Sequence, residues 1–180
     1  MEKDNDDLKL ILEKMVYSVP FPLGEIKENI NISTNSFSQS SKEEIITQAL
    51  KSHFSGEILE AAKQYKYFLD LGFTDPRVLS NYGTICQQSG DLSKAKELYE
   101  KCITLYPKSK EAYSNLGLIL NESGQPEKGE ELIRKSIEIN PDYAEGHHNL
   151  GIILRNQGKL KEAERYISKA IKLNPKDADA

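Results

Sequence analysis

The chain has 180 residues, 38% hydrophobic and 29% charged, a composition that suits a packed soluble protein and leaves no apolar run long enough to span a bilayer. Its 24 basic and 28 acidic residues give a net charge of −4, so no basic field gathers nucleic-acid phosphates. Two cysteines cannot build a disulfide framework, and the start Met1-Glu2-Lys3-Asp4 lacks the basic and apolar regions of a secretory signal, so a reducing, cytoplasmic location is expected.

Asp4-Asn5-Asp6-Asp7 offers side-chain oxygens that cap a helix, and Leu8, Ile11, Leu12 and Met15 recur at helical spacing up to Val19-Pro20. The pattern predicts an amphipathic helix within residues 1–20. Pro22 and Gly24 then break the chain, and Asn29 to Ser41 is mostly Asn, Ser, Thr and Gln, so 21–41 reads as a polar flexible linker. The helix is read either as a cap on the segment that follows or as a dimerisation or membrane-surface helix. Lys3, Lys9, Lys14 and Lys27 are outnumbered by acidic residues in this tail, which argues against the membrane.

From Lys42 a 34-residue unit recurs four times, over 42–75, 76–109, 110–143 and 144–177, leaving a tail at 178–180. Places seven and eight read Gln48-Ala49, Tyr82-Gly83, Leu116-Gly117 and Leu150-Gly151. Glycine occupies place fifteen in every unit, as Gly56, Gly90, Gly124 and Gly158. Place twenty holds Ala61, Ala95, Gly129 and Ala163; place twenty-four holds Tyr65, Tyr99, Ile133 and Ile167; place thirty-two holds Phe73, Pro107, Pro141 and Pro175.

Each recurring residue has a physical task. Leu150, Ile153, Leu154 and Gln157 fall on one helical face, and Tyr166, Ile167, Ala170, Ile171 and Leu173 form a second apolar stripe. Glycine at place fifteen ends the first helix and proline at place thirty-two stops the second. First helices are predicted near 43–55, 76–89, 110–123 and 144–157, and second helices near 58–71, 92–105, 126–139 and 160–173. Small residues at places eight and twenty let the paired backbones approach, most closely where Gly117 faces Gly129. Pro126 sits in a first helical turn, where its missing N–H costs no bond.

These offsets resemble the tetratricopeptide repeat family over residues 42–177. The first unit departs from the pattern at Gln48, Ala49 and Phe73, which puts its turn geometry and its end in question. The resemblance implies an all-α fold, a right-handed α-α superhelix (solenoid) of four helix-turn-helix repeats. In this family the first helices line an inner groove that usually holds an extended peptide. Place six of that inner wall reads Thr47, Asn81, Asn115, Asn149. The three amides can donate to and accept from a peptide backbone, which is similar to the asparagine ladder of O-linked N-acetylglucosamine transferase. Asparagine at this place can equally bond its own helix turn. Thr84, Leu118 and Ile152 at place nine give a partly apolar floor, Gln87, Asn121 and Arg155 a polar rim, and His148 faces the groove. Family members that clamp an acidic C-terminus carry lysine and arginine at successive inward places. Place five here reads Ile46, Ser80, Ser114, His148, and place two reads Glu43, Arg77, Glu111, Glu145, so that clamp is missing.

The residues suggest no catalytic or metal chemistry. His147 and His148 are adjacent and point about 100° apart on a helix, which cannot clamp one metal. His147 takes a packing place, and Cys86 and Cys102 lie at core places without a CxxC or a histidine at ligand spacing. No cofactor and no metal are expected. The chain reads as a non-catalytic protein- or peptide-binding module. The alternative is the substrate-recruiting arm of a glycosyl-, sulfo- or methyltransferase whose catalytic domain lies elsewhere. The apolar stripe of the last helix further suggests a homodimer through an uncapped C-terminal end, or a chain that continues into more repeats.

Overall fold

A computed structural model describes residues 39–174. Among the described residues the secondary structure is helical throughout: α1 (Gln39–Phe54), α2 (Ile58–Asp70), α3 (Pro76–Gln88), α4 (Leu92–Leu105), α5 (Lys110–Glu122), α6 (Pro126–Ile139), α7 (Ala144–Asn156) and α8 (Leu160–Leu173). Neighbours in sequence pack as pairs and each pair packs on the next, which makes this part of the chain an all-α helical-repeat solenoid. The helix expected within 1–20, most of the 21–41 linker, Pro175 and the 178–180 tail lie outside the described residues.

Local chemistry sets most helix ends. Asp75 caps α3 by accepting the Arg77 backbone N–H at 2.8 Å, with Pro76 pre-set in the first turn. Asp91 caps α4 in the same way, accepting from the Lys94 N–H. The first helix of the second unit closes with Gly90 at φ 87, where the Gly90 N–H donates to the Gln87 carbonyl and the Asp91 N–H to the Cys86 carbonyl. This paired capping satisfies carbonyls the helix would otherwise leave open, and only glycine reaches that backbone region without strain.

Two boundaries in the first unit differ from the sequence expectation. The first helix begins at Gln39, inside the stretch read as linker, because serine and glutamine are tolerated in a first turn whose N–H groups need no helical partner. The second helix stops at Asp70 and closes through Gly72, with φ 80 and its N–H donating to the Leu69 carbonyl at 2.9 Å. Phe73, standing where Pro107 and Pro141 stand in later units, packs its ring 5.5 Å from Phe68 and takes the Lys42 ammonium 4.3 Å from its centre. An aromatic contact there replaces the proline stop.

The core is a series of clusters that run from one unit to the next. Ile46, Ala49, Tyr65 and Phe68 meet Val78 and Ile85 of the second unit. Leu79, Tyr99 and Cys102 meet Ala112, Leu116 and Ile119 of the third, and Ile133 meets Leu150, Ile153 and Leu154 of the fourth. Both cysteines are buried and unpaired, and burial pushes the Cys86 thiol up to about 11. At the α5–α6 crossing a Cβ on Gly117 would lie 2.6 Å from Ile133 Cγ1 and 2.8 Å from the Gly129 carbonyl oxygen, so both glycines are required by contact. Glycine in a helix interior costs about 1 kcal/mol relative to alanine, a loss that this close approach offsets.

Candidate functional site

First helices touch along one side of the stack, α3 with α5 and α5 with α7. A groove of about 930 Å³ opens there. Its walls come from α3 through Pro76, Arg77, Ser80, Asn81 and Thr84, from Leu105 at the end of α4 and the connection that follows it through Tyr106 to Ser109, from α5 through Glu111 and Asn115, and from the start of α7 through Tyr143 and Glu145.

The three asparagines of place six do different work. Asn81 donates its Nδ2 hydrogen to the Arg77 carbonyl one turn back, at 2.8 Å. Asn115 reaches across to Thr84 Oγ1 of the preceding unit at 3.4 Å, and Asn149, only 5% exposed, donates to Ser114 Oγ at 3.0 Å. Two of the three therefore tie successive repeats together. Thr84 is part of a further network, since its hydroxyl donates to the Ser80 carbonyl at 3.1 Å and lies 3.2 Å from the Tyr99 hydroxyl. That hydroxyl donates to Gln87 Oε1 at 3.2 Å, and burial holds its pKa up at about 12.

Of the residues expected to line the groove, Asn81, Thr84 and Asn115 do so. Leu118 is half-buried and packs against the α7–α8 core, Ile152 at the same place one unit on is half-buried, and Gln87 and Asn121 are also half-buried. Arg155 is exposed. His148 is exposed and borders a different hollow, of about 490 Å³, with Tyr143, Ala144, Glu145, Ala170, Ile171 and Asn174. His147 is 2% exposed, stacks on the Tyr166 ring at 5.8 Å and places Nε2 2.8 Å from the Pro141 carbonyl.

Sequence reasoning did not single out Tyr106, Tyr143, Glu111 and Glu145 as groove residues. Their signal was available at place two, at place thirty-one and at the unit's last place, yet place two was weighed only for basic residues. The Tyr143 hydroxyl donates to Glu145 Oε2 at 2.8 Å. Burial, with Glu145 and then Glu111 nearby, drives its pKa well above the usual tyrosine range. Glu111 pairs with Lys110, whose ammonium also lies 5.2 Å from the Tyr143 ring centre. At the opposite end Arg77 is already saturated: it donates to both Glu43 oxygens at 2.7 and 2.8 Å and to Asp75 Oδ2 at 2.9 Å. The hydrogen bonds Arg77 donates lower the Glu43 pKa, and the carboxylates of Glu43 and Asp75 that accept them raise that of Arg77.

Two family models, both described as tetratricopeptide repeat, match residues 87–148 and 144–177. A comparison with curated proteins gives no significant sequence match. Among solved structures the chain is similar to MamA from Desulfovibrio magneticus RS-1, at 20% identity over 76% of this chain and 77% of that one, with a TM-score of 0.62. It is similar to TTC0263, a thermophilic TPR protein of Thermus thermophilus, at 18% identity over 74% and 75% and a TM-score of 0.67. It is also similar to YrrB, described as a TPR protein with an unusual peptide-binding site, at 17% identity over 77% and 72% and a TM-score of 0.60. At these identities the likeness is one of fold. Among the described residues no helix is long and apolar enough to cross a membrane.

Proposed function

This chain belongs to the tetratricopeptide-repeat family, and from that premise we propose that it is a non-catalytic, cytoplasmic protein-interaction module that holds an extended peptide in the groove between α3, α5 and the start of α7. The observation that carries the reading is the groove itself. It encloses about 930 Å³ and mixes apolar walls at Pro76, Leu105 and Pro107 with amides at Asn81 and Asn115. Such a lining suits a peptide of mixed character, whose backbone takes the hydrogen bonds and whose side chains take the walls. YrrB's description supplies a relative in fold with a peptide-binding site.

The test is a phage-displayed random peptide library panned against the full chain, with the enriched peptides measured by fluorescence anisotropy. Asn81→Trp fills the groove while giving up only a bond to its own helix turn. It should abolish binding without lowering the melting temperature. Peptides that bind Asn81→Trp as well as wild type would place the site elsewhere. The reading as recruiting arm of a glycosyl-, sulfo- or methyltransferase uses the same groove and adds a catalytic domain encoded outside this chain. A transferase assay on the natural complex separates the two.

The C-terminal end carries a second proposal, self-association. The hollow bordered by Ala170 and Ile171 is the counterpart of the slot over Ser136 and Ile137, which α7 fills with Gly146, and of the slot over Cys102, which α5 fills with Ala112 and Leu116. Ile171 remains 46% exposed. Among the described residues the N-terminal face is polar, with Glu44 and Lys51 exposed at the places where Val78 and Ile85 are buried one unit on, and Gln48 exposed between them. Pairing is thus tail to tail through two copies of α8, a contact that closes on itself.

A further inference from the structure

We propose that the Tyr143 end of the groove receives one arginine side chain of the bound segment, stacked over the Tyr143 ring and paired with the Glu145 and Glu111 carboxylates. The inference rests on the groove reading above and specifies its partner. Three observations carry it.

The first is charge. Among the described residues no ammonium or guanidinium pairs with Glu145, whose carboxylate accepts the neutral Tyr143 hydroxyl instead. The partnership orients Glu145 and leaves its charge uncompensated. At the other end Arg77 is held by Glu43 and Asp75, so it does not draw an anionic segment in. Lys108 is the remaining cation of the lining. Of the two carboxylates in the lining, Glu111 pairs with Lys110, which leaves Glu145 as the one without a cation.

The second is that the chain already places a cation at this spot. Lys110 holds its ammonium 5.2 Å from the Tyr143 ring centre while pairing with Glu111. Ring and carboxylate therefore form a working cation site with room beside it, and Glu145 is the unused half. The third is shape. A guanidinium is planar, stacks on a tyrosine face and takes two carboxylates through separate N–H groups, which a lysine ammonium does less well.

The test uses the full chain and a peptide from the panned library, labelled with fluorescein, made once with arginine and once with citrulline, its neutral isostere, at each arginine. Citrulline at the critical position should weaken binding roughly tenfold, and Glu145→Gln should weaken the arginine peptide by a similar factor. The two changes together should cost little more than either alone, which marks a direct pair. Glu145→Gln keeps an acceptor for the Tyr143 hydroxyl, and its melting temperature should stay near wild type. Panned peptides that bind the groove, lose binding in Asn81→Trp, and yet carry no arginine or tolerate citrulline everywhere overturn the arginine receptacle and leave the groove reading standing. Peptides indifferent to Asn81→Trp, or no enriched peptide at all, overturn both.

Discussion

Asn149 and Asn81 share a sequence place and differ in their work, which alanine substitution separates. Asn149→Ala leaves the buried Ser114 hydroxyl without its donor and should cost about 1–3 kcal/mol of stability in denaturant unfolding. Asn81→Ala loses one bond within its own turn and should stay within about 0.5 kcal/mol of wild type. Equal costs would contradict the assignment of Asn149 as a tie between repeats. His53 supplies a pH test. Burial holds its pKa below the ordinary value near 6.5, and Nδ1 lies 3.3 Å from the Tyr65 hydroxyl. The unfolded chain therefore takes up the proton first, so this contribution to stability is complete above about pH 6.5 and is lost as pH falls toward the lower folded value. Glu43 and Glu130 are also held low, so their contributions fade only below about pH 5, in the carboxylate range. His53→Gln should flatten the melting temperature between about pH 7.5 and 5.5, and an unchanged slope would assign the effect to other groups. At this scale the sequence was least legible. Three asparagines at one spacing looked alike, and their separate partners depend on how far each repeat rotates over the last.

Helix positions were legible because each boundary is set by a local residue. Asp75-Pro76, Gly90 and Gly124 act through their own backbone neighbours, and the expected ends fall within a few residues of the observed ones. The first unit was less legible for a physical reason. Its proline is replaced by Phe73, whose closure depends on contacts with Phe68 and Lys42 that no spacing rule encodes. The groove was half legible: α3 and α5 gave Asn81, Thr84 and Asn115, whereas Tyr106 and Tyr143 enter from connections whose path is tertiary. The tightest element contact is testable. Gly117→Ala drives a Cβ into Ile133 and the Gly129 carbonyl oxygen, where backbone cannot yield cheaply, and should cost about 1–3 kcal/mol despite alanine's better helix propensity. Unchanged or improved stability would show that α5 and α6 can separate without loss.

The whole described stack has unlike ends, polar at α1 and open beside Ile171. Light scattering after size exclusion should find a dimer at micromolar concentration, and Ile171→Glu should yield a monomer that melts like wild type. A wild-type monomer across that range would show that α8 needs no partner. Backbone-resolved NMR of the full chain titrated with a panned peptide tests whether the bound segment lies in the groove. Shifts should concentrate at Asn81, Thr84, Tyr106, Asn115, Tyr143 and Glu145. Shifts confined to the outward faces of α2, α4 and α6, with those six residues unmoved, would contradict that placement.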